Sequence, residues 1–150
     1  MINTERLMIE MASAEQMAEI IHDEPDENLQ IAYSEMLNGS IRNGEMRQWY
    51  VMWLIIAKCD YELVGKLCFM GEPEDGVVEI GCGIDDGYRG VGYGTEAVDA
   101  MSNWALKQEG VECVEAETEP DNVASQTMLK NCGFVPTGEI GVDGPRFRKR

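Results

Sequence analysis

Glycine occupies every second position of a short segment, Gly90, Gly92 and Gly94, between an apolar stretch and a helical pattern. This order predicts a strand, a turn and then a helix whose first N–H groups have no partner inside the helix. Such N–H groups, with the positive end of the helix dipole, bind anions, and glycine lets a phosphate approach the backbone closely. The segment therefore predicts a phosphate or diphosphate site; a glycine-rich turn without a ligand is the alternative.

The glycine spacing excludes two common phosphate loops. A Walker loop has Lys followed by Ser or Thr after its last glycine, whereas Thr95 and Glu96 follow Gly94 here. The Rossmann fingerprint is G-x-G-x-x-G, whereas these glycines are spaced G-x-G-x-G. The predicted site therefore belongs to neither class.

The elements around the segment change in type along the chain. Before it, the apolar patterns predict strands over residues 6–11, 48–59, 63–70 and 77–84, with helices over 13–22 and around 31–39. After it, they predict a helix over 95–108, a strand over 111–118, a helix over 122–131 and a closing hairpin around 143–144. Hairpins followed by one strand–helix–strand crossover predict an α/β fold with a mixed sheet, in a single domain over residues 1–150.

The composition limits the partners that we expect. With 12 basic and 28 acidic residues the chain has a net charge of −16, which repels nucleic acids and anionic membranes and attracts cationic ligands. A surface that serves solubility alone is the alternative. No apolar run approaches the roughly 20 residues of a membrane span, and the first residues lack a signal-peptide pattern, so we expect a cytoplasmic protein.

Cysteine and histidine usage argues against disulfides and metals. The five cysteines are odd in number and widely spaced, with no C-x-x-C pair, and there is a single histidine, His22. We therefore expect free thiols and no metal site.

The glycine segment resembles the signature of the GNAT superfamily of N-acetyltransferases, Gln/Arg-x-x-Gly-x-Gly/Ala at the junction of a strand and a long helix. Arg89, Gly92 and Gly94 match it in order within the string YRGVGYGTEAV, which is similar to the ribosomal-protein N-terminal acetyltransferase subgroup. A second match is Asn122-Val123-Ala124-Ser125, followed by Gly133-Phe134. The resemblance implies a mostly antiparallel central sheet with helices on both faces, a splay between the parallel strands 77–84 and 111–118, and acetyl-CoA as co-substrate.

The resemblance also implies which residues contact acetyl-CoA. The glycine segment would hold the diphosphate. The pantetheine arm would lie in the splay, where the end of strand 77–84 and the start of helix 122–131 would contact it. The residues concerned are Cys82, Gly83, Ile84, Arg89, Gly90, Val91, Gly92, Tyr93, Gly94, Thr95, Asn122 and Ser125. For Asn122, a helix N-cap without a ligand is the alternative.

Catalytic candidates follow from direct attack of an amine on the thioester. An alkyl amine arrives protonated, and Glu79 is the first candidate for its general base; an exposed strand carboxylate is the alternative, with Glu115 and Glu117 in reserve. We expect the oxyanion donor to be an N–H near Cys82 or Ile84. Many relatives place a tyrosine, the expected general acid, seven residues after the asparagine, where this chain has Leu129. Ser125, Tyr88, Tyr93 or water are the replacements for it. A covalent route through Cys82 is disfavoured, because no histidine partner lies nearby in the sequence.

These inferences predict an enzyme that acetylates a primary amine of a small cationic molecule or of a protein N-terminus, as a monomer or homodimer. Tyr33, Glu35 and Trp49 are the predicted lining of the acceptor site, because that part of the chain shapes it in the family. A catalytically idle CoA-binding sensor and a glycine-looped nucleotide-binding protein are the alternatives.

Overall fold

The computed structural model describes residues 1–150. The chain forms four α-helices and eight strands. They are β1 (Ile2–Asn3), β2 (Leu7–Met11), α1 (Ala14–Asp23), α2 (Glu27–Arg42), β3 (Trp53–Ala57), β4 (Leu63–Phe69), β5 (Val77–Ile84), α3 (Tyr93–Leu106), β6 (Cys113–Glu117), α4 (Val123–Asn131), β7 (Val135–Ile140) and β8 (Pro145–Lys149).

All eight strands form one sheet in the order β1-β2-β3-β4-β5-β6-β8-β7. Every neighbouring pair is antiparallel except β5 and β6, which are joined by the crossover through α3 and run parallel. The mixed, mostly antiparallel α/β sheet predicted from the sequence is therefore confirmed.

The parallel pair separates along its length. Its register runs from Val77 opposite Cys113 to Glu79 opposite Glu115 and stops there, although β5 continues to Ile84. Beyond Glu79, β5 remains paired only with β4. The predicted splay between the two central strands is present, and it opens toward the glycine segment.

Helices cover both faces of the sheet. On one face Trp104 of α3 packs on Trp49, Trp53 and Phe69, with ring centroids 5.0–5.9 Å apart across this aromatic cluster. Successive strand residues point to opposite faces, so Cys68 lies on the face opposite Phe69. Tyr33 and Met36 of α2 line a cavity together with Cys68, which places α2 on that second face.

Two boundaries differ from the sequence prediction. The predicted strand 48–59 begins only at Trp53, because residues 44–49 form a 3₁₀ helix that carries Trp49 into the core. Helix α2 continues past Gly39 to Arg42, because Gly39 is a contact point rather than a helix end: a Cβ there would lie 3.4 Å from the Tyr50 ring. The two-residue strand β1 was too short to give a sequence pattern. No helix combines the length and apolar character needed to cross a membrane.

Candidate active site

The glycine segment ends β5 and begins α3. Gly90 and Gly92 have φ values of +81° and +88°, in the left-handed region that favours glycine. Gly92 is the N-cap of α3, and no side chain caps the helix. The backbone N–H groups of residues 90–95 donate no hydrogen bond within the protein. Six successive donors therefore remain available at the positive end of a 14-residue helix.

Arg6, which immediately precedes β2, contacts the glycine segment through its side chain. Its Nη1 donates to the carbonyl oxygen of Val91 at 2.8 Å, and its guanidinium carbon lies 4.7 Å from the centre of the Tyr93 ring. Its Nε and backbone N–H donate to the carboxylate of Glu96, which also accepts from the Thr4 hydroxyl. Burial alone would raise the pKa of Glu96, but the hydrogen bonds from Thr4 and Arg6 outweigh it and lower the pKa.

A cavity of about 450 Å³, here called the loop cavity, lies beside the segment. Most of the residues that the sequence assigns to the cofactor line it. They are Cys82, Gly83, Ile84, Arg89, Gly90, Gly92, Tyr93, Gly94, Thr95, Asn122 and Ser125. Val91 does not, because its side chain points to solvent and its carbonyl is bound by Arg6.

The open edge of β5 forms one wall of the loop cavity. The carbonyl of Glu79 and the N–H of Asp85 bond to β4, so main-chain groups of the odd-numbered residues between them also face β4. Those of Cys82 and Ile84 face the splay instead, whereas those of Gly83 do not. The Ile84 carbonyl accepts from Nε of Arg89 at 3.0 Å, which leaves the N–H of Ile84 and both groups of Cys82 available.

Asn122 and Ser125 lie on the opposite wall, at the start of α4. The side-chain oxygen of Asn122 accepts from the backbone N–H of Ser125 at 3.1 Å and caps the helix. Its Nδ2 donates to no protein atom and remains free to bind a ligand. The N-cap and the predicted ligand contact are therefore compatible in this geometry.

A smaller cavity of about 60 Å³, the splay cavity, lies where β5 and β6 separate. Cys82, Thr118 and Ser125 all contribute to its wall. The Thr118 hydroxyl is buried and has no hydrogen-bond partner in the protein. Because buried polar groups are rarely left unpaired, this hydroxyl points to a partner that enters the splay.

A third cavity of about 670 Å³, the α2 cavity, lies between α2 and the sheet. Leu29, Tyr33, Met36 and Met52 form its apolar wall, and Lys66, Asp85, Asp86 and Arg89 contribute charged groups. It shares Cys82, Gly83, Ile84 and Arg89 with the loop cavity. The two cavities therefore meet at the end of β5.

The predicted acceptor residues are separated by the structure. Tyr33 lines the α2 cavity, where burial, followed by the charge of Glu24, raises its pKa. Trp49 does not line any of these cavities: it is 1% exposed and packs on other aromatic rings in the core, which corrects its predicted position. Glu35 lies in a different groove, between α1 and α2 beside His22, so it is also removed from the acceptor lining.

The carboxylate predicted as general base, Glu79, is bound by an arginine. Nη2 of Arg146 donates to it at 2.8 Å, and the same guanidinium binds Glu115 and Glu117 on β6. Arg148 adds two hydrogen bonds to Glu115. Glu79 lines neither the loop cavity nor the α2 cavity. These carboxylates therefore tie β5, β6 and β8 together.

The thiols near the site are poor nucleophiles in this setting. All five cysteines are free. Burial raises the pKa of Cys82 to about 12 and that of Cys68 to about 11. Thiolate is the reactive form, so a covalent route through Cys82 is disfavoured. No group of three or more His, Cys, Asp or Glu residues is arranged to hold a metal ion.

Comparison with known proteins identifies the family. Residues 4–135 match the acetyltransferase (GNAT) domain model, and the chain belongs to that family. A stretch of 84 residues is 42% identical to the uncharacterized N-acetyltransferase YjdG of Bacillus subtilis (strain 168), covering 55% of this chain and 50% of that protein. The chain spans about half the length of the curated relatives it matches.

Solved structures show the same fold at low sequence identity. RimL, a ribosomal L7/L12 alpha-N-protein acetyltransferase in complex with coenzyme A, has a TM-score of 0.76 at 17% identity, covering 97% of this chain and 94% of its own. A GNAT-family acetyltransferase from Bacillus anthracis has a TM-score of 0.70 at 19% identity, with coverages of 98% and 95%.

Three residues of the site gave no usable signal in the sequence. Arg6 is 83 or more positions from every residue of the glycine segment it holds, and Lys66 is one polar residue in an apolar strand. Thr118 lies at the end of a predicted strand, and only the structure shows that its hydroxyl is buried without a hydrogen-bond partner. Each is brought to the site only by the folding of the chain.

Proposed function

We propose that residues 1–150 form a single domain that transfers an acetyl group from acetyl-CoA to a primary amine by direct attack. The observation that carries this proposal is the row of six unpartnered N–H groups over residues 90–95, beside a cavity that continues into the splay. Backbone donors at a helix N-terminus bind a diphosphate through short contacts. The net charge of −16 does not prevent this, because surface charges are screened over roughly 8 Å at physiological salt.

The residues of the splay fit the rest of the cofactor. The main-chain groups of Cys82 and the N–H of Ile84 are placed to bond an extended pantetheine arm as an added strand would. Asn122, with its free Nδ2, lines the loop cavity, and the unpaired hydroxyl of Thr118 lines the splay cavity; Cys82 and Ser125 line both. When bound, acetyl-CoA would supply an activated acetyl group where the loop cavity and the α2 cavity meet. The N–H of Cys82 or Ile84 then stabilises the carbonyl oxygen as charge develops on it.

The amine reaches this junction through the α2 cavity. It arrives as an ammonium ion, which the acidic surface attracts, and must lose a proton before it attacks. Asp85 lies on the cavity wall with no cation within 4.0 Å. We therefore assign to Asp85 the role of general base, which removes this proton directly or through water. Glu79 is the general base predicted from the sequence, but its carboxylate already forms an ion pair with Arg146. Ser125, on the wall of both the loop and splay cavities, is our candidate for protonating the sulfur.

The similarity to RimL, a ribosomal L7/L12 alpha-N-protein acetyltransferase, supports an amine acceptor and keeps a protein N-terminus among the candidates. We further propose a cytoplasmic protein and, from the charge of the chain, one with no nucleic-acid or membrane partner. A monomer and a homodimer both remain compatible with this function.

The test is release of free thiol from acetyl-CoA in the presence of a panel of amines, amino acids and N-terminal peptides. Turnover that depends on the amine, with mass spectrometry showing an added acetyl group on it, supports the enzyme. A thermal-shift comparison of acetyl-CoA with ATP and NAD separates this function from a nucleotide-binding protein. Stabilisation by ATP or NAD but not by acetyl-CoA would refute the proposal.

A catalytically idle CoA-binding sensor is the second candidate. Two observations favour it: Leu129 occupies the position of the usual tyrosine and is buried, and Glu79 is held by Arg146. The sensor predicts tight binding of acetyl-CoA with no thiol release for any amine, so the same assay distinguishes the two functions.

A further inference from the structure

The α2 cavity contains a lysine without a partner. Lys66 is half-buried on the cavity wall, yet its ammonium forms no ion pair and donates no hydrogen bond within the protein. Carboxylates outnumber cations by 28 to 12 in this chain. An unpaired cation on the wall of this cavity, beside the apolar side chains of α2, is therefore a specific feature of the cavity.

The position of Lys66 connects it to the reacting centre. Lys66 pairs with Gly83 in the β4–β5 register, so both point to the same face of the sheet. No protein atom lies within 4 Å of the point where a Gly83 side chain would begin. The lysine is therefore not shielded from the end of β5, where the α2 and loop cavities meet. It does not line the loop cavity, so its charge is not placed for the diphosphate.

Asp85 supplies the opposite charge. It follows Gly83 by two residues, and its backbone N–H bonds to Val64 of β4, so the β5 alternation continues through it. Its carboxylate has no hydrogen bond and no cation within 4.0 Å, which also separates it from Lys66. The other two charged residues of the cavity, Asp86 and Arg89, form an ion pair with each other at 3.2 Å. The cavity therefore presents one free cation, one free anion and an apolar wall.

We propose that the acceptor is an amine with an anionic group close to it and an apolar side chain, as in an apolar α-amino acid or a peptide whose N-terminus lies next to an acidic group. The anionic group binds Lys66, the ammonium group binds Asp85, and the side chain packs on Leu29 and Met36. This inference rests on the proposed acetyl transfer and narrows its substrate. Polyamines and aminoglycosides carry several positive charges, which Lys66 disfavours.

The transfer balances with these groups in place. The amine nitrogen bonds to the acetyl carbon as the carbon–sulfur bond breaks, and the sulfur leaves with the bonding electrons. Of the two N–H protons lost by the ammonium group, one leaves through Asp85 to water and the other neutralises the sulfur. The contact between Lys66 and the anionic group persists throughout, so it favours binding of the acceptor.

Matched acceptors test the proposal in the unaltered protein. Leucine and leucinamide differ in the negative charge and in the basicity of the amine, so their rates are compared per unprotonated amine. The N-terminal peptides Leu-Asp-Gly-amide and Leu-Asn-Gly-amide differ in the same negative charge. We expect kcat/KM, measured by thiol release, to be about 10- to 100-fold higher for the charged member of a pair, as for a charge-assisted hydrogen bond. Preference in the leucine pair alone identifies a free amino acid, and preference in the peptide pair alone identifies a protein N-terminus.

Substitutions of Lys66 assign the preference to this residue. Lys66→Met should bring the charged-to-neutral ratio close to one, Lys66→Glu should invert it, and Lys66→Arg should retain it. Lys107→Met, at an exposed lysine after α3, is the matched control and should leave the ratio as it is. If Lys66→Met fails to fold, the Arg and Glu variants and the wild-type ratio decide.

The proposed acetyl transfer and the proposed anionic acceptor are contradicted by different experimental outcomes. Equal use of the charged and neutral members in both pairs, or better use of spermidine than of any of these acceptors, overturns the anionic acceptor while acetyl transfer stands. Binding of acetyl-CoA with no thiol release for any acceptor in the panel overturns the enzyme itself. A charge preference that persists in Lys66→Met overturns the assignment to Lys66.

Discussion

The loop cavity and the α2 cavity meet at the end of β5 but are built from different parts of the chain. The loop cavity offers backbone N–H groups over residues 90–95, exposed by glycines and by a helix start that no side chain caps. The α2 cavity offers side chains: an apolar wall from α2, Met52 and β4, with Lys66 and Asp85 as free charges. Under the proposed function, the first would recognise the diphosphate that every CoA carries, and the second would recognise the groups that vary among acceptors.

This difference predicts how each cavity responds to substitution. A site made of main-chain donors loses its ligand affinity when a side chain is placed among the donors. It tolerates changes in side chains that do not contact the ligand. A site made of side chains changes its preference when one charge is altered, as proposed for Lys66. Both responses can be measured, and the largest is expected where a charge enters the row of donors.

Gly92→Glu should reduce acetyl-CoA affinity by about 100-fold or more, because a carboxylate among the loop donors opposes the diphosphate by several kcal/mol. A Cβ at Gly92 would also lie 3.1 Å from Nη2 of Arg6. Isothermal titration with acetyl-CoA measures the loss.

Gly138→Glu is the matched control. Gly138 has a similar φ of +84°, compared with +88° at Gly92, and it lies on an exposed strand where no atom is within 4 Å of the place that a Cβ would take. Both substitutions carry a similar backbone strain of about 1–2 kcal/mol. They differ in position relative to the loop and in the contact with Arg6, which only Gly92→Glu makes. Equal affinities in the two variants would show that the diphosphate binds elsewhere.

The same contrast explains what the sequence could predict. Glycine spacing before a helix specifies a backbone conformation, so Gly90, Gly92, Gly94 and the Asn122 cap were placed correctly in the fold. Acceptor residues depend on how α2 lies across the sheet, which local pattern does not encode. Trp49 was therefore assigned to a ligand although it belongs to the core, and Lys66 was not singled out at all.

The ends of strands were also not predictable from local sequence pattern. The alternation over residues 48–59 correctly predicted an apolar, buried segment, but apolar residues of a 3₁₀ helix can be buried as fully as those of a strand. Tertiary packing of Trp49 on Phe69 and Trp104 decided between them. Ion pairs across β5, β6 and β8 were also invisible, because Arg146 is 67 positions from Glu79.

Arg6→Met tests whether the backbone site depends on its external support. The variant loses the bond to Val91, the contact with Tyr93 and the ion pair with Glu96, so the loop donors are less well ordered before binding. We expect acetyl-CoA affinity to fall about 5- to 30-fold, equivalent to one or two kcal/mol. Arg42→Met, at an arginine on the exposed end of α2, is the control. An unchanged affinity in Arg6→Met would mean that the loop holds its conformation alone.

Thr118→Val should move stability and affinity in opposite directions. The hydroxyl is buried without a partner, so its removal should raise the free energy of unfolding of the free protein by about 1 kcal/mol. If the hydroxyl binds the pantetheine arm, acetyl-CoA affinity should fall about 3- to 10-fold. Chemical denaturation and titration measure the two quantities, with the exposed Thr127→Val as control. Loss of stability together with unchanged affinity would contradict the assignment.

The pH dependence of stability should report the Arg6–Glu96 contact. Because the pKa of Glu96 is lowered in the folded protein, its contribution to stability is complete above the unfolded pKa and is lost as pH falls through the folded pKa. The free energy of unfolding of Arg6→Met should therefore fall less steeply than that of the wild type on the acid side. Parallel curves for the two proteins would show that Arg6 does not stabilise the Glu96 carboxylate.

Cys82→Ala should have the smallest effect, because Cys82 contributes its backbone to the loop cavity and its thiol is not needed. With the pKa of this thiol raised to about 12, fewer than about one molecule in 10,000 carries the thiolate near neutral pH. We expect kcat to stay within about twofold of the wild type, with Cys68→Ala as the matched control at the other raised thiol of the site. A loss of turnover at Cys82 alone, with acetyl-CoA binding retained, would mean that a side chain takes part where only main-chain groups are expected, and the contrast between the two cavities would not hold.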